Sequence, residues 1–175
     1  TSPTTGILLI DQNFNLTIVG TLALGGGTGA GIVNQSDGSL IASNLTVNSS
    51  GTGDLSQYNL SGGTVSVSNS LTVKANGELN LTGGTFTTAL VNTVTTDGTL
   101  LVNGGTFSKT ISGLSPIFSG SGSIKVQSGS FDLINGAATD LTTIQTTLFE
   151  VSGGAVDISG QALLGANAEF RVIGD

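Results

Sequence analysis

The feature that most constrains the fold of this chain is an internal repeat of 21 to 25 residues. A triplet with apolar first and third residues, and a polar middle residue in five copies, occurs six times between residue 58 and the C-terminal end and is followed in most copies by a glycine-rich corner. The triplets begin at Tyr58, Leu79, Leu100, Ile124, Phe149 and Phe170, which gives spacings of 21, 21, 24, 25 and 21 residues. A repeat of this length indicates one structural unit of a stacked solenoid.

Each repeat is predicted to contain three short β-strands and no helix. Apolar and polar residues alternate within the strands, and corners such as Asn76-Gly77 and Asp97-Gly98 supply the positive φ angles that tight turns need. The sequence therefore predicts an all-β fold, a parallel β-solenoid of seven or eight rungs with strands about 4.8 Å apart. The extra residues of the two longer repeats, near 112–116 and 135–136, are expected to bulge at corners.

Columns of side chains down the stack define the predicted register. Phe86, Phe107 and Phe131 fall in an inward column. The middle triplet residues form an outward column that reads Asn59, Asn80, Leu101, Lys125, Glu150 and Arg171, so opposite charges alternate over the last three rungs. The third strand is placed by an apolar column at Val73, Val94, Phe118, Thr143 and Leu164.

Composition excludes most familiar chemistry. The chain has no Cys, His, Met or Trp, so thiol nucleophiles, imidazole bases and disulfides are absent, and we expect no enzyme activity. Four Lys or Arg against eleven Asp or Glu give a formal charge of −7, which argues against nucleic acid and anionic membrane surfaces as partners. The longest apolar run, Gly6 to Ile10, is far shorter than the ~20 residues of a membrane-spanning helix, so no membrane insertion is expected. The start at Thr1 lacks the basic region of a signal peptide and is interpreted as a processed, mature terminus.

The segment Gly77 to Phe86, GELNLTGGTF, resembles the repeats of bacterial autotransporter passengers and haemagglutinin-like adhesins. The resemblance covers roughly residues 55–175. It implies a secreted, right-handed β-helix, located outside the cell or at its surface and used for display, adhesion or scaffolding. Because the resemblance lies in a compositional repeat and not in a catalytic signature, it implies no functional residue.

Two acidic residues are candidate metal ligands. Asp132 and Asp157 occupy equivalent positions in successive repeats, directly after the inward residues of the second strand. Stacked carboxylates repel one another, and a calcium ion would relieve that repulsion. Ordinary solvated carboxylates are the favoured alternative, and no other cofactor is expected. A glycosidase pair is disfavoured, since the chain has no Trp to form a sugar platform.

Two further patterns have simple structural interpretations. The segment Gly25 to Gly31 resembles a phosphate-binding loop, but it has no Lys and no following helical pattern, so a solenoid corner is predicted. Thr85, Thr87, Thr88 and Thr106 raise the idea of an ice-binding face. That idea is disfavoured because the threonines keep no single column through all rungs.

Six Asn-x-Ser/Thr sequons are candidate glycosylation sites in a host that performs the modification. All of them lie in the first half of the chain. They begin at Asn15, Asn34, Asn44, Asn48, Asn59 and Asn80.

The chain is interpreted as one β-solenoid domain over residues 1–175, with residues 1–20 as an N-terminal cap or subunit-linking strand. Head-to-tail contact between copies is predicted to use Ile7, Leu8, Leu9 and Ile10 at one end and Phe170, Val172 and Ile173 at the other. The predicted function is an extracellular structural protein that assembles into a fibre or surface layer. The alternative is an adhesin passenger module that binds a surface polysaccharide or a host surface.

Overall fold

The computed structural model describes residues 4–89, 93–111, 117–135 and 141–174, and all regular elements in these ranges are β-strands. The strands are β1 (Gly6–Ile10), β2 (Asn15–Leu24), β3 (Gly31–Gln35), β4 (Ser39–Val47), β5 (Ser56–Leu60), β6 (Thr64–Val73), β7 (Gly77–Leu81), β8 (Thr85–Ala89), β9 (Thr93–Thr96), β10 (Thr99–Ile111), β11 (Ile117–Asn135), β12 (Leu141–Val151), β13 (Ala155–Ile158), β14 (Gln161–Leu164) and β15 (Glu169–Val172). Within these ranges no helix is long and apolar enough to cross a membrane.

The strands stack into three columns, and the chain visits the first, second and third column in each rung. The first column holds β1, β3, β5, β7, residues 99–102, 123–126 and 148–151, and β15. The second column holds residues 15–18, 39–42 and 64–67, β8, residues 106–111 and 130–135, and β13. The third column holds residues 21–24, 44–47 and 70–73, β9, residues 117–120 and 141–146, and β14. Because the strands pair in parallel, the fold is the predicted parallel β-solenoid.

The predicted register of the first two columns is confirmed. The six triplets pair in one column at the spacings found in the sequence. Phe86, Phe107 and Phe131 pair along the second column, and all three are fully buried. The outward column from Asn59 to Arg171 also follows the predicted order.

The predicted third column is wrong at two rungs. Leu71 takes the place predicted for Val73, and Ile144 takes the place predicted for Thr143. The number of residues between a third-column residue and the next triplet is not constant, because the corner after the third strand differs in length between rungs. The residues that share this column are Leu22, Leu45, Leu71, Val94, Phe118, Ile144 and Leu164.

The repeat also begins earlier than the sequence indicates. Gly6–Ile10 matches no repeat in the sequence, yet β1 pairs in parallel with β3 from Gly6↔Gly31 to Ile10↔Gln35, at the 25-residue spacing of a regular rung. The outward residues Ile7 and Leu9 are apolar like the inward residues beside them, so the alternation that marks later strands is lost. Residues 6–10 are therefore a regular strand of the solenoid.

Aromatic side chains form a continuous stack inside the solenoid. The ring centroids of Phe86 and Phe107 are 5.7 Å apart, and those of Phe107 and Phe131 are 4.8 Å apart, with nearly parallel planes. Tyr58 and Phe149 extend the series with edge-on contacts. Aromatic pairs of this kind contribute about 0.5–1.5 kcal/mol beyond the burial of their area. The predicted interior stack is confirmed.

The two longer repeats carry their extra residues between the second and third columns. The second column pairs as far as Ile111↔Asn135, and the third column resumes at Ile117↔Thr143. The segments in between, residues 112–116 and 136–140, lie outside the described residues. The bulges expected there stay predictions.

A polar pair is built into the core near the N-terminal end. The Tyr58 hydroxyl donates to Gln35 Oε1 at 2.6 Å, and Gln35 Nε2 donates to the Thr64 carbonyl oxygen at 3.0 Å. Tyr58 and Gln35 are buried, and burial raises the pKa of Tyr58 above its usual range. The glutamine is tolerated among apolar neighbours because the phenol and a carbonyl satisfy its amide.

Lys109 is a second polar group that faces the core. It pairs in the second column with Thr88 on one side and Leu133 on the other, and all three side chains are buried. Burial lowers the pKa of the Lys109 amine from 10.5 to about 8, because desolvation disfavours the charged form.

The position of Lys109 predicts a pH dependence of stability. Its pKa is lower in the folded chain than in the unfolded chain, so folding releases a proton and stability rises as pH increases from about 8 toward 10.5. We expect a gain of about 2 kcal/mol in the free energy of unfolding between pH 7 and pH 9.5 in urea titrations. The range stops there because buried Tyr58, with its raised pKa, favours unfolding at higher pH. Lys109→Met should flatten the curve, and parallel curves for the two proteins would contradict the prediction.

Candidate interaction surfaces

The outward side of the first column carries a ladder of asparagines. Asn34, Asn59 and Asn80 lie in register on successive rungs. Asn59 Nδ2 donates to Asn34 Oδ1 at 2.9 Å, and Asn80 Nδ2 donates to Asn59 Oδ1 at 3.0 Å. These bonds tie three rungs together through side chains.

The same column becomes charged toward the C-terminal end. Lys125 lies in register with Glu150, and Glu150 lies in register with Arg171. Arg171 contacts Glu150 at 3.3 Å and Glu169 at 2.8 Å, and both carboxylates raise the pKa of its guanidinium, Glu169 more than Glu150. The charge order predicted from the sequence is present, and it gives this part of the surface alternating charges that attract along the stack.

The glycosylation prediction is wrong for one of the six candidate asparagines. Asn48 is fully buried, and its Nδ2 donates to the carbonyl oxygens of Ala75 at 2.9 Å and Asn76 at 3.0 Å. A glycan on Nδ2 would remove a donor and would need space inside a packed corner, so the folded chain cannot carry one there. Glycosylation at the other five stays a prediction, and their side chains lie on the outward sides of strands: Asn15, Asn34, Asn44, Asn59 and Asn80.

The two candidate metal ligands are brought together as expected. Asp132 and Asp157 pair in register on the outward side of the second column, and the Ser130 hydroxyl hydrogen bonds to Asp132. Across the described ranges, no group of three or more His, Cys, Asp or Glu side chains could hold a metal ion. Since Ca²⁺ takes 6–8 oxygen ligands, the pair would supply a minor part of a calcium shell.

We therefore expect a chelator to leave the stability of the protein unchanged. The measurement is the melting temperature by calorimetry in EDTA and then in excess Ca²⁺. A fall in melting temperature on chelation, abolished by Asp157→Asn, would instead establish a shared calcium ion.

The threonines considered for ice binding do not form one array. Thr85 and Thr106 lie in register with Thr64 on the outward side of the second column. Thr87 belongs to the neighbouring outward column, two residues along the strand, and Thr88 is buried in the core. The expectation that threonine keeps no single column through all rungs agrees with this register.

The N-terminal end of the solenoid presents an apolar hollow of about 320 Å³. None of the described residues that line it is titratable. Besides glycines and Ala30, it is lined by residues of β1, β2 and β3: Ile7, Leu8, Leu22, Ala23, Leu24, Ile32 and Val33. Three of its lining residues, Gly25, Ala30 and Gly31, belong to the predicted corner between the third strand of one rung and the first strand of the next.

The assembly residues predicted at the N-terminal end differ in exposure. Ile7 and Leu9 point outward and are exposed, whereas Leu8 is half-buried and packs against the core. Ile10 is buried, because it lies inside the first column beside Gln35 of β3. The Ile10 side chain is therefore closed to a second chain, while the side chains of the other three residues remain accessible, and the part that all four play in assembly stays a prediction.

The residues predicted at the C-terminal end are exposed. Phe170, Val172 and Ile173 all lie at the surface, and the Phe170 ring stacks on Phe149 with centroids 5.1 Å apart. β15 pairs with β12 along one edge, and no strand of the described chain pairs with its other edge. This end therefore offers an open strand edge beside apolar side chains.

Comparisons with protein-family models, with curated proteins and with solved structures found no match to this chain. The β-solenoid implied by the resemblance to adhesin repeats is present, and the family itself is not shown. The surfaces of the solenoid are therefore the basis for inferring its role.

Proposed function

We propose that this chain is an extracellular structural protein whose solenoids stack end to end into a fibre or surface layer. The observation that supports this is the position of the exposed apolar side chains. Of twelve large ones in the described chain, four lie in the first rung and five in the last two, which makes nine at the ends. These nine are Ile7, Leu9, Phe14, Val19, Leu163, Leu164, Phe170, Val172 and Ile173.

Stacking would satisfy the backbone at the same time as it buries those of the nine side chains that lie on the end faces, among them Leu164 and Phe170. The outer edges of β1 and β15 carry backbone N–H and C=O groups that can pair with a parallel strand of another chain. The contact joins two different surfaces of the subunit. Such a heterologous contact propagates into a filament unless its rotation closes a ring.

The sides of the solenoid favour growth along its axis. The chain has a formal charge of −7, and Glu78, Asp132, Glu150 and Asp157 all lie on outward columns. Like charges on neighbouring filaments repel, so lateral association is weak at low salt. Thin filaments are therefore expected, and not amorphous aggregates.

The test is the size of the purified chain as a function of concentration, by sedimentation velocity and negative-stain microscopy. Leu163 and Leu164 provide a matched pair, because they are neighbours with 49% and 47% exposure. Leu164 continues the inward third column at the end face, whereas Leu163 points to the side. Leu164→Asp should suppress filaments, and Leu163→Asp should leave them.

The outcome that would contradict the proposal is a monomer at high concentration. In that case the alternative, a module of an adhesin passenger that binds a polysaccharide or a host surface, would be the better account. Equal loss of filaments in both leucine variants would show that the end face does not carry the contact.

A further inference from the structure

One column of inward side chains runs from one end of the solenoid to the other. Leu8 begins this column, and Val33 follows it on the next rung. Phe149 and Phe170 are its last members. A side chain that protrudes at one end therefore belongs to the same line of packing as the residues that surround the hollow at the other end.

The hollow has the size and chemistry to accept an aromatic ring. Its volume is about 320 Å³, and an apolar cavity of about 150 Å³ is already enough to bind benzene. Leu8, Leu22 and Leu24 contribute apolar walls, and glycines of β1, β3 and the adjoining corner leave room beside them. An apolar, uncharged cavity of this kind favours an apolar occupant over water.

Phe170 is the aromatic side chain best placed to enter such a hollow. It retains 40% exposure although its other face stacks on Phe149. It lies on β15, the eighth strand of the first column, whereas the second and third columns of the described chain hold seven strands each. Among the described residues, no second- or third-column strand lies beside β15 in its own rung.

We infer that Phe170 of one copy inserts into the hollow formed by Leu8, Leu22, Leu24 and Val33 of the next copy. This rests on the proposed end-to-end stacking and specifies the contact that holds it. The inserted ring buries its exposed face, and it continues the apolar packing of the first inward column across the junction. Both partners are uncharged, so the contact carries no cost of burying a charge.

A single tryptophan can report this insertion directly, because the chain has no tryptophan of its own. In Phe170→Trp, we expect the emission maximum to shift to the blue as concentration rises, in step with the sedimenting fraction. Ile41→Trp is the control, since Ile41 is exposed on the outward side of the second column, is not one of the nine side chains at the ends and does not line the hollow. Its emission should not change on assembly.

A substitution in the wall of the hollow provides an independent test. Ala23 and Thr17 are both exposed residues of β2, but only Ala23 lines the hollow. In the Phe170→Trp background, Ala23→Lys should raise the concentration needed for assembly about tenfold or more and abolish the blue shift. Thr17→Lys should alter neither.

The outcomes separate this inference from the proposed function. Assembly without a blue shift, or assembly that Ala23→Lys leaves intact, would overturn the inserted ring and leave end-to-end stacking standing. A chain that stays monomeric at all concentrations would overturn the stacking itself, and the inference with it. Circular dichroism of each variant checks that the solenoid remains folded.

Discussion

Phe107→Ala is expected to lower the free energy of unfolding by about 3–5 kcal/mol. Phe107 is fully buried and lies between the rings of Phe86 and Phe131, so its removal opens a cavity and interrupts the stack on both sides. In a solenoid each rung packs only on its neighbours, so a gap in the middle weakens the coupling between two halves. Urea denaturation followed by circular dichroism measures the effect.

Two controls separate burial from simple loss of a large side chain. Phe14→Ala removes the same atoms at an exposed position, and Lys125→Ala removes a side chain from the outward column. Each should cost less than about 1 kcal/mol. Effects equal to that of Phe107→Ala would show that the inward and outward assignments are wrong.

Gly84→Ala is the second large expected effect, a loss of roughly 2–5 kcal/mol. Gly84 has a φ of +67°, and a Cβ there would lie 2.7 Å from the carbonyl oxygen of Gly63 and 2.9 Å from the carbonyl carbon of Gly62. The left-handed backbone costs an L-residue about 1–2 kcal/mol, and overpacking against a fixed backbone adds about 1–3 kcal/mol. Both neighbours belong to the corner of the preceding rung, which cannot shift without moving the rung.

Gly27 separates the two contributions, because it has a φ of +59° but no neighbouring atom within 4 Å of the place that a Cβ would take. Gly27→Ala should therefore show the backbone cost alone, about 1–2 kcal/mol. Melting temperatures and urea midpoints of the two variants provide the comparison. If the two substitutions lower the free energy of unfolding by the same amount, contact between stacked corners contributes nothing measurable to stability.

Much of the fold follows from the spacing of a few residue types. The triplets and the Gly-Gly corners predict parallel stacking, the inward Phe column and the outward order Lys125, Glu150, Arg171. These predictions hold because a parallel solenoid places equivalent residues of successive rungs side by side. Sequence periodicity and spatial neighbourhood are then the same information.

The sequence fails where corners change length or where a strand loses its alternation. Leu71 replaces Val73 in the third column because the corners beyond the third strand are unequal. Gly6–Ile10 is invisible as a rung because apolar residues stand on both of its sides. The first error arises because a spacing measured along the chain includes the corner, whereas pairing depends on the strands alone. The second arises because a strand without alternation does not reveal which of its sides faces the core.

The candidate site was less predictable than the fold. The sequence indicated Ile7 to Ile10 and Phe170 as contact residues, and these stay predictions, but it did not indicate that the first column buries the Ile10 side chain. The hollow could not be predicted, because it arises from the way β1, β2, β3 and a glycine-rich corner approach one another. No spacing along the chain specifies an empty volume.

The sequence by itself determined the architecture: an all-β parallel solenoid, the residues that face inward in its first two columns, and the alternation of charges on one side. Only the tertiary structure decided that Lys109 and Gln35 lie inside, that Asn48 is closed to glycosylation, and that the N-terminal end is hollow. A repeat fixes which positions face the core, since every rung shares one geometry. Whether a polar side chain is tolerated there, and how much space is left, depends on the particular neighbours that the rungs above and below supply.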